Sequence, residues 1–265
     1  MVREFGDQNY WAVILGGSSG LGLATAQKLA QHGMNICIVH RTRKADLAAV
    51  EAEFNRIESQ GVLLKQYNID ATNPEKRSTL IAELRTHLGE QGKVRALIHS
   101  IAKGNLKPML SDDQRQLQHD DFQLTIEAMA ISLYDWTKDL LVGSLFAPDA
   151  RILSFTSEGS TKAWKNYAAV SAAKAALEAI SRSIALEMAP YGIRANCIMA
   201  GVTNTASLRM IPDSDALLTM SKQRNPFSRL TQATDVANVA YLLCKDEAAW
   251  INGAVIPVNG GEHLQ

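Results

Sequence analysis

The sequence predicts an α/β fold: one doubly wound domain with a parallel sheet and helices on both faces, plus a short helical lid. Three observations predict it. Short apolar, β-branched runs alternate with longer amphipathic stretches along all 265 residues. A glycine cluster follows the first apolar run directly. No internal repeat, low-complexity tract or Pro/Gly/Ser linker divides the chain, so residues 1–265 read as a single domain.

Taken in order, Trp11–Leu15 reads as the first strand and Leu23–Ala30 as part of the helix after it. Asn35–Val39 is a second strand, and Lys44–Gln60 is helical. Val62–Ile69, Val94–His99, Ala150–Phe155, Arg194–Ile198 and Ala254–Val258 are further strands, nearly all separated by helical patterns. Such alternation calls for βαβ crossovers, because parallel neighbours cannot be joined by tight hairpins. Residues 206–227 interrupt the rhythm with Leu208, Met210, Ile211, Leu217, Leu218 and Met220. Apolar residues with methionines suit a substrate lid; the other reading is a satellite cluster under a long loop.

Composition narrows the function classes. Hydrophobic residues make up 46% and charged residues 20%, which excludes a disordered chain. Lys plus Arg equals Asp plus Glu at 27 each, so no global charge draws the chain to nucleic acid or an anionic membrane. Cys37, Cys197 and Cys244 form neither a CxxC pair nor a metal-ligand spacing, and no metal site is expected. They read as buried free thiols. The opening residues carry no apolar stretch of a signal peptide, and no run approaches a membrane span, so a cytoplasmic protein is expected.

The chemistry begins at Gly16-Gly-Ser18-Ser19-Gly20-Leu21-Gly22, between the first strand and its helix. Glycines there let the backbone turn tightly and approach a pyrophosphate at a helix N-terminus, the Rossmann-type arrangement for a dinucleotide. A residue at the end of the second strand then chooses the cofactor: an acid would bind a ribose 2′-hydroxyl, an arginine a 2′-phosphate. His40-Arg41-Thr42-Arg43 has no carboxylate until Asp46, so the expectation is NADPH with Arg41 on the phosphate. A solvated loop is the competing reading. Asp70 ends the third strand and can accept from the adenine amino group, or can cap the helix that begins near Pro74.

With these residues the chain resembles the short-chain dehydrogenase/reductase family along its full length. The same likeness extends to Asp70-Ala71, Ser157, a Tyr/Lys pair, Ala200-Gly201 and Val258-Asn-Gly-Gly261. Common members carry Tyr-x-x-x-Lys, but here Val170 stands four positions before Lys174 and Tyr167 stands seven before it. That Tyr-x6-Lys pattern resembles the divergent enoyl-acyl-carrier-protein reductases. So do His99-Ser100-Ile101-Ala102 after the fourth strand, Ile131-Ser-Leu-Tyr134 without the usual catalytic asparagine, and Ala200-Gly201-Val-Thr203-Asn-Thr205. The ordinary glycine loop, and Ser157 in place of a second tyrosine, resemble an NADPH-using bacterial subgroup.

The resemblance implies that Ser100, Ile101 and Ala102 line the cofactor, with Ala71 and Gly201 beside it, and that Thr203 and Thr205 meet its carboxamide and pyrophosphate. It implies Tyr167 as hydrogen-bond donor to a thioester carbonyl, Lys174 on the nicotinamide ribose, and Ser157 as a helper. On one helix, positions seven apart lie roughly 10 Å apart along the axis against roughly 6 Å for four apart. A ketone takes hydride on the carbon that bears its oxygen, whereas a 2-enoyl thioester takes it two carbons away. A displaced phenol suits the second substrate, provided both residues are helical.

The expected function is therefore NADPH-dependent reduction of a trans-2-enoyl thioester, on acyl carrier protein or coenzyme A. A 3-oxoacyl reductase is the runner-up, and a non-enzymatic NADPH-binding protein is third. Family members usually form homotetramers through their fourth and fifth helices, where the small residues Ala168, Ala172, Ala173 and Ala176 would permit close packing. An acidic carrier protein would need a local basic cluster: Arg209, Lys222 and Arg224 in the lid with Lys103 and Lys107, unless these are only scattered surface charges. His99 reads as a hydrogen-bonded strand-end residue rather than an acid or base.

Overall fold

A computed structural model describes residues 3–112 and 115–265. Its seven strands are β1 (Tyr10–Leu15), β2 (Asn35–His40), β3 (Leu64–Asn68), β4 (Lys93–His99), β5 (Phe146–Ser157), β6 (Ile193–Ala200) and β7 (Val255–Val258). They form one sheet in the order β3-β2-β1-β4-β5-β6-β7, and every neighbouring pair is parallel. The helices are α1 (Gly20–Gln31), α2 (Leu47–Glu58), α3 (Pro74–Leu88), α4 (His119–Ile126), α5 (Ser132–Val142), α6 (Ala168–Glu187), α7 (Ser214–Arg224) and α8 (Ala233–Cys244). A π-helical turn, Glu127–Ile131, joins α4 to α5.

Period-two alternation along β1 explains the layers. Trp11, Val13 and Leu15 enter a core shared with α3, α5 and α6. Ala12 and Ile14 enter the other, shared with α1, α2 and α8. A sheet buried on both faces needs strands apolar throughout, which is why β1, β2 and β4 read as continuous runs.

Each expected strand is present, with shifted ends. β5 starts at Phe146, because an irregular stretch at Pro148-Asp149 shifts its register on β4 between Val94 and Ala96. The helix expected from Lys44 opens with a 3₁₀ turn over Lys44–Asp46 before α2. Cys37, Cys197 and Cys244 are buried free thiols, as expected.

The amino ends of β4, β5 and β6 hold a charge cluster that patterning does not reveal. Arg95 and Arg151 are fully buried side chains. Asp149 accepts from Arg95 at 2.8 Å and from Arg151 at 2.9 Å, and also pairs with Arg194. The guanidiniums donate further to the carbonyls of Cys244, Leu243 and Ala249, tying α8 and the segment after it to the sheet. Burial raises the Asp149 carboxyl, but Arg151, Arg95 and Arg194 outweigh it and hold it below the ordinary value. That stabilisation is complete above about pH 4 and is lost as pH falls through the depressed folded value. Asp149→Ala is expected to cost roughly 3 kcal/mol or more, since it strands two buried cations. Urea unfolding at pH 7 checks the loss, and the gap to the parent protein should narrow in acid.

Candidate active site

The order of the sheet reverses between β1 and β4, and the predicted cofactor residues gather at the carboxyl ends of those strands. Gly16 has φ of 82°, and a Cβ there would collide with the Ser100 carbonyl. A Cβ on Gly22 would collide with the Gly16 carbonyl and lie 3.0 Å from Ser100 Oγ. Gly20, with φ of 56°, faces the Thr205 methyl. The loop thus brings Ser100 and Thr205 to the start of α1, whose first turn has no acidic residue and whose N-cap, Ser19, makes no side-chain cap bond. Gly20, Thr203 and Thr205 line a cavity of about 620 Å³ together with Lys222 and Arg229.

Other members of the predicted set take different parts. Leu21, Ala71 and Ile101 pack against the cores, and the Ala71 carbonyl accepts from Trp136. Ser18 is half-buried in the loop, and Ala102 is exposed after β4. A Cβ on Gly201 would collide with Thr231 Oγ1, so this glycine serves close packing behind the cavity. Thr203 Oγ1 donates to the Gly201 carbonyl at 2.9 Å and folds the loop that Thr205 continues.

The specificity corner is tied together by charge. Exposed Arg41 donates to Asp70 at 3.0 Å, and Lys103 reaches the same carboxylate oxygen at 3.3 Å. The other oxygen of Asp70 accepts from the Thr72 amide and hydroxyl at 3.0 and 2.7 Å. Burial raises this carboxyl, but the Thr72 bonds and Lys103 outweigh it and keep it ionised far below its ordinary range. Asp70 does not cap α3. Asn73 does, accepting from the Lys76 amide. Asn68 accepts from the Thr42 amide and donates to its carbonyl, both at 3.0 Å, fixing the loop that carries Arg41.

Tyr167 departs from the helical geometry expected of it: α6 begins at Ala168, and Tyr167 is its N-cap residue with φ −117° and ψ 2°. Its carbonyl still accepts from the Ser171 amide, so the chain enters the helix there. The tilted Trp164 ring lies 5.2 Å away, and a Cβ on Gly159 would meet the phenol ring at 2.6 Å. Met129, Val170 and Ala173 complete an apolar nest, against which Leu106, Ile126 and Ile211 of the lid pack. Burial raises the phenol above its ordinary value while Ser157 pulls it partly back. Ser157 Oγ is buried beside the phenol and has no other partner in good hydrogen-bond geometry.

Lys174 is buried in α6, and its Nζ donates to the Phe155 carbonyl at 2.6 Å. Burial lowers it to about 8 against the upward pull of Cys197 and Glu178. His99 Nε2 bonds Ser132 Oγ at 2.8 Å, and burial followed by the Lys174 charge lowers its pKa to about 3. It is the hydrogen-bonded strand-end histidine expected of it.

Residues 206–227 hold a 3₁₀ turn, Leu208–Met210, and α7, with Met210 and Met220 exposed. Most of the basic residues set aside for docking are engaged within the chain. Arg224 pairs with Glu158 and Glu262, Lys107 with Asp121, Lys103 with Asp70, and Arg209 donates to Asn204. Lys222 lines the cavity instead. On α6, Ala173 is buried in the chain's own core and Ala176 packs against it, so of the four residues only Ala168 and Ala172 remain of the small-residue face.

These surroundings fit a nicotinamide dinucleotide: a glycine cradle at a helix start, an orphan buried hydroxyl and a buried lysine with N–H groups to spare. Sequence reading missed Trp164 and the Glu158–Arg224–Glu262 bridge, because neither sits in a motif. Among the described residues no metal-binding cluster occurs and no helix is long and apolar enough to cross a membrane.

The profile of the family described as enoyl-(acyl carrier protein) reductase matches residues 16–263. A 3-oxoacyl-[acyl-carrier-protein] reductase of Pseudomonas aeruginosa is 28% identical over 256 residues, covering 96% of this chain and 97% of that protein. An enoyl-[acyl-carrier-protein] reductase [NADH] of Enterococcus faecalis is 27% identical over 259 residues, covering 97% and 98%. An enoyl-[acyl-carrier-protein] reductase (NADH) structure from Aquifex aeolicus superimposes with a TM-score of 0.83 at 24% identity, covering 97% of each chain, a likeness of fold. The chain belongs to the short-chain dehydrogenase/reductase family, in the group described as enoyl-(acyl carrier protein) reductase, whose members are oxidoreductases that bind a nicotinamide cofactor.

Proposed function

We propose that this oxidoreductase reduces the 2,3 double bond of a trans-2-enoyl thioester with NADPH, in fatty-acid or related acyl-chain biosynthesis. One observation carries the reading. The position four before Lys174 is Val170, packed in an apolar nest, and the phenol beside it comes from Tyr167 at the mouth of α6. The hydrogen-bond donor thus stands seven positions before the lysine rather than four, which suits the separation between β-carbon and carbonyl oxygen. A 3-oxoacyl reductase is the second reading, favoured by the 28% identical relative. NADPH oxidation with crotonyl-thioester and then acetoacetyl-thioester separates them, and activity on the acetoacetyl compound alone rejects the first.

A bound reduced nicotinamide supplies the hydride that arrives at the β-carbon. The thioester oxygen then gains negative charge, and Tyr167, protonated because burial raises its pKa, donates a hydrogen bond to it. A proton from solvent then adds to the α-carbon of the enolate, so that hydride and proton together give the saturated thioester. Lys174, fixed by the Phe155 carbonyl, holds the ribose hydroxyls and sets positive charge near the phenol. Ser157 turns its unpartnered hydroxyl to the same oxygen. Gly16, Ser18, Ser19, Gly20 and Gly22 cradle the pyrophosphate with Thr205, while Ser100, Ala102 and Thr203 line the cofactor. Arg41 takes the 2′-phosphate, exchanging its bond to Asp70 for one to the ligand. The acyl chain arrives on acyl carrier protein, whose acidic surface meets Lys222 and Arg209, and the enzyme works in the cytoplasm as a homotetramer.

Removing the phenol hydroxyl with Tyr167→Phe should lower kcat about 10²-fold or more and leave the NADPH Kd nearly unchanged. Stopped-flow turnover with calorimetric binding checks both halves. Arg41→Ala should weaken NADPH about 10-fold or more while sparing NADH, since only the 2′-phosphate loses a charge-assisted bond. Titration with each cofactor decides it.

The pH profile follows from Lys174. Its lowered pKa, about 8, means that the positive charge is present below that pH and is lost above it. Tyr167 remains protonated through that range, so kcat/KM should fall along a single alkaline limb near pH 8. A profile level to pH 10 would remove the charge from the lysine's role.

A further inference from the structure

The carboxyl end of α7 is held by a buried bridge that the proposed mechanism does not use. Arg224 Nη2 donates to Glu158 Oε2 at 2.8 Å and to Glu262 Oε1 at 3.1 Å. Glu262, 3% exposed, accepts from the Val202 amide at 3.3 Å with its other oxygen. Glu158 accepts from Lys162 at 2.7 Å with its own. Three walls of the site meet here. Glu158 directly follows Ser157, Val202 directly precedes Thr203, and Arg224 ends the lid helix.

Burial decides what such a bridge can do. On the surface an ion pair is worth little and moves freely. Here two carboxylates share one guanidinium in a largely water-free setting, and withdrawing a partner leaves uncompensated charge. Burial raises Glu158, but the Lys162 and Arg224 bonds outweigh it and keep it ionised. Arg224 Nε is itself buried and unpartnered, so the guanidinium is held from one side only. Removing Glu262 frees the Val202 amide and leaves the end of the lid helix held by the Arg224–Glu158 bond alone. Glu262 is the member shared between the lid and the β6 loop.

We infer that Glu262 is a positioning residue, which sets the Val202–Thr205 loop and helix α7 against the Ser157 loop and so governs binding of the nicotinamide end of the cofactor and of the acyl substrate. The inference rests on the cofactor placement of the proposed function. It divides the lid: Ile211 packs against the apolar nest, and the end of α7 is anchored by Arg224.

The test compares two ligands that differ only in the nicotinamide: NADPH and 2′-phospho-ADP-ribose. In the full chain, Glu262→Gln should weaken NADPH about fivefold or more, leave 2′-phospho-ADP-ribose within about twofold, and raise KM for crotonyl-thioester more than it lowers kcat. Glu262→Asp keeps the charge but shortens its reach, and should show the same selectivity at smaller size; it also serves if the glutamine variant does not fold. A purely structural glutamate would lower Tm and weaken both ligands alike, and equal loss, or no loss, overturns the inference. Binding is read without any acyl substrate, so a preference for acetoacetyl-thioester would overturn the proposed reaction while leaving this result standing.

Discussion

The carbonyl of Ser100 occupies the space where any side chain on Gly16 would begin, and the architecture of the site depends on that contact. It is possible because β1 and β4 are parallel neighbours whose crossovers leave in opposite directions, opening a crevice between them. Gly22 repeats the requirement within the first turn of α1, against the Gly16 carbonyl and the Ser100 hydroxyl. A methyl group at either position would push α1 away from β4 and disperse Ser100 and Thr205. The residues assigned to the dinucleotide are therefore positioned by backbone packing, and Leu21, Ala71, Ile101 and Gly201 contribute to that packing themselves.

A second constraint lies in α6. An apolar nest accommodates a phenol only at its rim, and Tyr167 reaches it from the N-cap rather than from a helical turn. Tyr167 is outside the helix that carries Lys174, although its carbonyl accepts the first helical bond from the Ser171 amide. Burial then acts on the two groups in opposite senses for one reason. It disfavours charge, so the phenol keeps its proton and the lysine loses its own more readily. The phenol is thereby kept as a donor, and the charge of the lysine is made to depend on pH.

Apolar periodicity and glycine spacing made the strands, the layers and the cradle legible in the sequence, since both are local properties of the chain. Tyr167 and Lys174 were legible through their spacing, though not the cap conformation, which depends on Trp164 and Gly159 packing around the ring. The buried arginines were not legible. Arg95 and Arg151, like the half-buried Arg194, read as charges at strand starts, and only the alignment of three neighbouring strands on Asp149 shows why the first two are inside. Likewise Arg41 and Asp70 were each legible as cofactor residues, but their mutual bond needs β2 and β3 side by side.

The same internal pairing bears on how a carrier protein would be met. A neutral chain with equal numbers of cations and anions has no long-range pull to offer, so recognition must use cations left free near the mouth. Arg224, Lys107 and Lys103 each already hold a carboxylate at 3.3 Å or closer, and turning them outward would strand an acid partner. For Arg224 that partner is buried, so its recruitment would cost more than an exposed contact returns. Lys222 and Arg209, both exposed and without an acidic partner among the described residues, carry no such cost. On the proposed function, a carrier protein would therefore dock locally and modestly, and an acyl chain against the apolar nest would supply most of the discrimination.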